Sequence, residues 1–195
     1  MKKLFLIVAL TLVLPIIAQA QESPRAEILG GYSYLRLDDN DIDALDQDLN
    51  GFNVSTNFTL FKKSIGLKAD VSGHFGDTLV SILPRTDFRQ YLFLFGPQIT
   101  LRKSERFQPF AHVLAGFAYT QTKNDTLGLD ISDTGFAFAA GGGVDIKALS
   151  SRLAIRLLQA DYVMTRFDDP SGSGSTTSNN LRATTGIVIR VGTVE

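Results

Sequence analysis

The sequence predicts an all-β fold: a closed, antiparallel, eight-stranded transmembrane β-barrel preceded by a cleaved signal peptide. Three observations predict it. A leader for export opens the chain, period-two alternation of apolar and polar residues fills the remainder, and the connections between alternating segments are in turn short and long.

The leader has a positive start at Lys2 and Lys3, an apolar stretch from Leu4 to Ile17 broken by Pro15, and a small-x-small cleavage site at Ala18-Gln19-Ala20. This assigns residues 1–20 to a signal peptide and 21–195 to one barrel domain. The apolar run is shorter than the roughly 20 residues a spanning helix needs. No Cys follows it and the chain has none, so neither a lipid-modified start nor a disulfide is available. Of 19 Lys and Arg, Lys2 and Lys3 leave with the leader, so 17 face 20 Asp and Glu in the mature chain. A balance so near neutral argues against a nucleic-acid partner. The 17 Gly, 14 Phe and 5 Tyr, without Trp, suit strands with close backbone approaches and an aromatic outer surface.

Alternation is clearest from Gly51 to Phe75. Phe52, Val54, Thr56, Phe58 and Leu60 share one face, and Gly51, Asn53, Ser55, Asn57 and Thr59 the other. Beyond Phe61-Lys62-Lys63-Ser64 the pattern resumes, with Ile65, Leu67, Ala69, Val71, Gly73 and Phe75 opposed by Gly66, Lys68, Asp70, Ser72 and His74. Strands are expected at 26–37, 51–61, 65–75, 88–101, 107–119, 134–147, 153–166 and 179–192. Most are as long as a tilted membrane strand of roughly 9–11 residues, or longer, against roughly 5–6 in ordinary sheets. Short connections fall near Lys62–Ser64, Lys103–Arg106 and Ala148–Arg152. Long polar ones fall at Asp38–Asn50, Gly76–Asp87, Thr120–Asp133 and Asp168–Ser178. Such barrels keep short turns in the periplasm and long loops outside, so an even strand count leaves both termini periplasmic. The fourth strand is expected to be less polar inside, through Leu92 and Leu94. The sixth carries Ala137, Ala139, Gly141 and Gly143 inward, giving bulky lumen neighbours room. Phe52, Phe75, Tyr91, Tyr119, Phe136 and Phe167 are expected to ring the outer rim, with Phe61 and Phe107 at the inner one.

Alternation turns a set of charged and polar residues into the lumen: Lys68, Asp70, His74, His112, Asp145, Lys147, Arg156, Asp161, Arg182 and Arg190. Both signs are present, so mutual pairing can offset the cost of burying them. Arg156 and Asp161 differ in parity and share a face only if the strand bulges near Leu157-Leu158. A salt-bridged core is the expected role of this set, and a gated polar path the alternative. Ser72, His74 and Asp70 lie on one face and could in principle form a nucleophile, base and orienting carboxylate, but within the lumen they are remote from lipid substrates.

Asp38-Asp39-Asn40-Asp41-Ile42-Asp43-Ala44-Leu45-Asp46-Gln47-Asp48 carries six Asp, yet lacks the Gly and Glu of a calcium loop, and is read as a solvated loop. Ser171 to Ser178 is a flexible, low-complexity loop tip. Thr184-x-Gly186-x-x-Ile189-x-Val191 has the spacing of a terminal strand read by the barrel-assembly machinery, with Ile189 and Val191 in place of the usual aromatics.

Glu27 to Tyr34, the Phe95-Gly96-Pro97 step, Gln108-Pro109-Phe110-Ala111-His112, Gln159-x-Asp161-Tyr162 and the closing strand together resemble the small eight-stranded outer-membrane barrels similar to the outer membrane protein A transmembrane domain. The resemblance covers residues 26–192 and implies a bilayer-spanning barrel with a polar, side-chain-filled interior, located in the bacterial outer membrane. The chain is expected to end with the barrel, without the peptidoglycan-binding domain often attached in that family. A non-enzymatic structural or surface-recognition role through four extracellular loops is expected. Its partners would be outer-membrane lipid, the assembly machinery during insertion and loop ligands, with no cofactor or metal. The alternatives are a narrow pore for ions or small solutes, a lipid-modifying enzyme, and a soluble periplasmic barrel with every face reversed.

Overall fold

The computed structural model describes residues 24–38, 47–61, 64–78, 86–102, 104, 106–124, 128–148, 152–168 and 174–192. Eight strands follow in order: β1 (Ala26–Asp38), β2 (Gln47–Phe61), β3 (Ile65–Thr78), β4 (Thr86–Thr100), β5 (Phe107–Asn124), β6 (Leu129–Lys147), β7 (Leu153–Asp168) and β8 (Ser175–Val191). Each pairs antiparallel with the next, and β8 returns to β1, with Ala26 opposite Val191 and Asp38 opposite Asn179, to close the barrel. Closure leaves no sheet edge within the wall, which hydrocarbon demands because it cannot bond a free N–H or C=O.

At the end where the short turns lie, the strands begin and end within a residue of the expected positions. At the other end they run further: β2 starts at Gln47, β5 ends at Asn124, β6 starts at Leu129 and β8 starts at Ser175. Here the outward face is polar, through Asp48, Gln121, Lys123, Asp130, Ser132 and Thr177, so the alternation that marks a membrane strand stops while backbone pairing continues into water. The segment read as a long loop from Thr120 to Asp133 is therefore mostly a hairpin, paired out to Asn124 opposite Leu129. Lys123 Nζ and Asp130 Oδ2 lie 3.1 Å apart across it. That hydrogen bond, with another from Gln121, holds the Asp130 carboxyl below the usual carboxylate range.

The apolar faces point outward. Val54, Phe58, Phe95 and Ile99 are about half exposed, whereas Asn53, Ser72, Gln90 and Gln98 between and beside them are almost wholly buried. The reversed arrangement of a soluble barrel is thus not the one formed. Near the loop end, rings on neighbouring strands form a continuous belt: Phe52 to Phe75 at 6.3 Å, Phe75 to Tyr91 at 5.8 Å and Tyr91 to Tyr119 at 6.4 Å between centroids. Phe136 is exposed at the same height, and Phe107 is exposed near the turns. The Phe61 side chain lies outside the described residues.

Phe167 departs from the expected girdle. It shares its face with Val163 and Thr165, and it packs against the interior cluster of Leu92, Leu94, Leu114, Ala118, Ala137, Ala139 and Val163. The reason is the bulge in β7. Arg156 opposes Gly186 and Gln159 opposes Thr184, so Leu157 and Leu158 together face one residue of β8. Both leucines turn outward, and everything after them changes parity. Thr185 Oγ1 donates to the Arg156 carbonyl at 2.9 Å beside the bulge.

Val71 lies midway along β3 on the outer face, between Val54 and Phe93, and Leu67 lies near the turn end opposite Phe58 and Pro97. Val71→Arg is expected to cost about 2–4 kcal/mol and Leu67→Arg less, because the penalty falls towards the interface. Urea unfolding in phospholipid vesicles measures both. Equal, negligible costs at the two sites would remove this face from lipid.

Candidate functional site

The lumen is built from inward residues whose neighbours are set by register. Asp161 faces Arg182 across β7 and β8, Asp145 faces Arg156 across β6 and β7, and Lys68 and Asp70 project two residues apart from β3. All six are at most 3% exposed. An ion buried this deeply is tolerated only when paired and hydrogen-bonded.

Arg182 bridges the two walls of the barrel. Its Nη1 donates to Asp70 Oδ1 at 2.8 Å and to Ser72 Oγ at 3.0 Å, while Nε and Nη2 donate to Asp161 Oδ2 at 2.9 and 2.7 Å. Asp70 also accepts from Asn53 Nδ2 at 2.9 Å, and its Oδ2 lies 3.3 Å from Lys68 Nζ. Asp161 Oδ1 lies 2.9 Å from His112 Nε2. Arg156 forks onto Asp145, with Nε to Oδ1 at 2.8 Å and Nη2 to Oδ2 at 3.0 Å. Gln159 ties the halves together: its Oε1 accepts from Arg156 Nη1 at 2.7 Å and Lys68 Nζ at 3.1 Å, and its Nε2 donates to Asp161 Oδ2 at 2.6 Å. Three cations, Lys68, Arg156 and Arg182, thus meet three carboxylates, Asp70, Asp145 and Asp161.

Phe110 lies among them. Its ring centroid is 4.1 Å from Arg156 Cζ and 5.9 Å from the His112 ring, nearly parallel to it. Such a face can stabilise a desolvated guanidinium by about 2 kcal/mol. Gly143 makes room for it, since a Cβ there would stand 2.8 Å from Phe110 Cζ and against the Leu158 carbonyl. Gly141 does the same for Asp161.

Seven of the ten expected lumen residues meet in this network: Lys68, Asp70, His112, Asp145, Arg156, Asp161 and Arg182. His74 stands nearer the loop end, where its Nε2 lies 2.9 Å from Ser33 Oγ, which in turn is 3.2 Å from Thr184 Oγ1. Arg190 belongs to a separate cluster at the turn end. There Glu27 accepts from Arg102, Arg190 and Asn57 at 3.2–3.3 Å, and Gln108 Oε1 accepts from Arg102 at 3.1 Å and Arg190 at 2.6 Å. Lys147 is half-buried at the same end, where its backbone N–H donates to the Arg106 carbonyl at 3.0 Å.

Arg156 and Asp161 share a face, as a bulge at Leu157-Leu158 requires, but connect through Gln159 rather than directly. Phe110, Gln159, Gln108 and Ser33 are neutral participants that charge could not single out, and Glu27 and Arg102 are charged ones outside the expected set. Parity with His112 places Gln108 and Phe110 inward, and register places Glu27 opposite Arg190. The chemical arrangement of Ser72, His74 and Asp70 does not form: Ser72 and Asp70 both serve Arg182, and His74 turns to Ser33. Among the described residues no group of three His, Cys, Asp or Glu could hold a metal. Most of the acidic segment 38–48 lies outside the described residues; Asp48 accepts a hydrogen bond from the Tyr34 hydroxyl on the outer face.

An apolar outer face, a closed antiparallel wall and an ion-paired lumen define a small transmembrane barrel of the kind found in bacterial outer membranes. The chain belongs to the outer membrane protein beta-barrel domain family, whose model matches residues 6–192. Solved structures of similar fold include Neisserial surface protein A, with a TM-score of 0.64 at 11% identity over 85% of this chain and 96% of that one. The attachment invasion locus protein Ail of Yersinia pestis gives 0.57 at 20% identity, over 87% and 100%. OprG of Pseudomonas aeruginosa gives 0.52 at 14%, over 87% and 97%. No curated protein matches the sequence.

Removing Arg182 would leave Asp70 and Asp161 short of their shared cation. Arg182→Ala is expected to lose roughly 3–5 kcal/mol, less whatever water recovers, and Arg182→Lys an intermediate amount because a point charge cannot fork between two carboxylates. Urea unfolding in bilayers, or the temperature at which the folded band is lost on a gel, reads the order. An Arg182→Ala protein as stable as the parent would detach this network from the fold.

Proposed function

We propose that the protein is a non-enzymatic outer-membrane barrel that does not conduct at rest and acts as a structural or surface-recognition element, with its loop end facing outside. The observation that carries this reading is the charge-neutral network closing the lumen from Lys68 and Asp70 on β3 to Asp161 and Arg182 on β7 and β8. Eight strands enclose a space just wide enough for side chains to fill, whereas freely conducting porins use about twice as many. With the lumen filled, recognition falls to the strand ends and loops. The names of two fold relatives, a surface protein and an attachment invasion locus protein, point the same way, at 11% and 20% identity.

In planar bilayers the unmutated protein is expected to open rarely and briefly. Arg156→Ala, which unties Asp145 and Gln159 and uncovers Phe110, should open more often while folding less stably. Frequent, large, long-lived openings of the parent would replace this reading with a pore. Orientation is tested separately. A bulky maleimide applied to intact cells should label Gly174→Cys at the loop end and spare Ser104→Cys at the turn end; labelling at 104 alone would invert the barrel.

A further inference from the structure

We propose that the turn half of the lumen holds a binding site for water over the bare backbone of Gly66, and that this water links the Glu27 cluster to the His112 side of the central network. Gly66 faces inward on β3 between Thr59 of β2 and Gln98 of β4, its partners in register. A Cβ built on it would stand 2.5 Å from Asn57 Oδ1. Three polar side chains thus border one patch of wall that has no side chain of its own. All three are at most 7% exposed.

Each of them presents an oxygen to this patch that no residue engages. Among the described residues Asn57 Oδ1, Thr59 Oγ1 and Gln98 Oε1 are buried without a hydrogen-bond partner. The Asn57 amide cannot be turned round to bury its nitrogen here instead, because Nδ2 donates to Glu27 Oε2 at 3.2 Å and a carboxylate only accepts. Gln98 Nε2 is likewise engaged, donating to Thr100 Oγ1 at 3.2 Å. Next along is His112, opposite Gln98 on β5. Its Nε2 lies 2.9 Å from Asp161 Oδ1, which places the hydrogen of a neutral ring on that nitrogen and leaves a lone pair on Nδ1. Nδ1 is also buried without a partner. Buried acceptors in folded proteins are almost always bonded, so four in succession across β2, β4 and β5 point to a bound donor.

Charge decides the class of that donor. A cation would meet Lys68, which stands opposite Asn57, and the Arg102 and Arg190 side chains on Glu27. An anion would find both amide donors already engaged. An uncharged molecule that donates hydrogen bonds fits, and the close enclosure limits it to the size of water, which settles in buried sites offering two to four polar partners. The Asp145–Arg156 and Asp161–Arg182 pairs stay closed around it, so the lumen is hydrated from the turn side without being open through its length.

Thr59→Val tests the site, because it keeps the shape of the side chain and removes an oxygen that no residue bonds. From a dry site, loss of an unpartnered buried hydroxyl would raise the melting midpoint of the mature protein folded in phosphatidylcholine vesicles. With water bound there, the midpoint is expected to fall by a few degrees. In deuterated detergent micelles, the Gly66 α protons of the parent are expected to show a nuclear Overhauser cross-peak to water with the sign of a long-lived contact. A midpoint that rises or stays level in Thr59→Val, or a parent Gly66 without such a cross-peak, overturns the proposal; should Thr59→Val fail to fold, the cross-peak of the parent decides alone.

Discussion

Hydrocarbon cannot satisfy a backbone N–H or C=O, and the rest of this structure depends on that constraint. The sheet must close, and with eight strands it closes around a lumen only side chains can fill. The outward half of every strand is then committed to lipid. All polar chemistry within the membrane is left to the inward half, where water is scarce. Charge there must be neutralised locally, and the central network does so by bringing β3 together with β6, β7 and β8, from which it is distant in sequence. Arg182 and Asp70 are separated by 112 residues and meet at 2.8 Å.

Filling the lumen also explains the small residues of β6. A closed wall has little freedom to widen where a large group must fit, so volume has to be removed from the opposite strand. Gly141 and Gly143 yield that space to Asp161 and Phe110, and Ala137 and Ala139 yield it to Leu92, Leu114 and Val163. The interior is consequently layered: aliphatic on β4 to β7 towards the loops, ionic in the middle, and a hydrogen-bonded cluster of Glu27, Arg102, Gln108 and Arg190 at the turns. Glu27 at the turn end is buried as deeply as the central carboxylates, and Arg102, Arg190 and Asn57 satisfy it there.

Most of this was legible in the sequence because a period of two is exact and barrel strands are long. Strand number, facing and the turn-end boundaries follow from alternation between Phe52 and Ile189. The loop-end boundaries do not, because outside hydrocarbon the ladder continues through residues such as Lys123 and Asp130 without an apolar outward face to mark it. Phe167 shows the other way alternation fails: a single bulge at Leu157-Leu158, itself foreseeable, reverses the side of every later residue in β7, so an aromatic whose place near a strand end suggests the outer rim lies inside instead. Inward membership was readable for many charged residues, Glu27 being missed, but pairing was not. Which carboxylate Arg156 takes depends on stagger between strands, and alternation alone does not contain stagger.

The glutamine at 159 shows why a neutral residue can matter more than its charge suggests. Two cations, Lys68 and Arg156, both approach its carbonyl, and its amide faces Asp161. A carboxylate here would satisfy the cations but repel Asp161 and leave the centre one charge negative. An apolar residue would leave Lys68 to Asp70 alone and strip one donor contact from Arg156. The amide serves both signs because its two ends have opposite polarity. It thereby couples the Arg156–Asp145 pair to the Arg182-centred group without adding charge, so a disturbance of either pair reaches the other through one side chain. In a lumen this narrow, that linkage makes the plug a single unit rather than two independent ion pairs, and a path for solute would require both to part together.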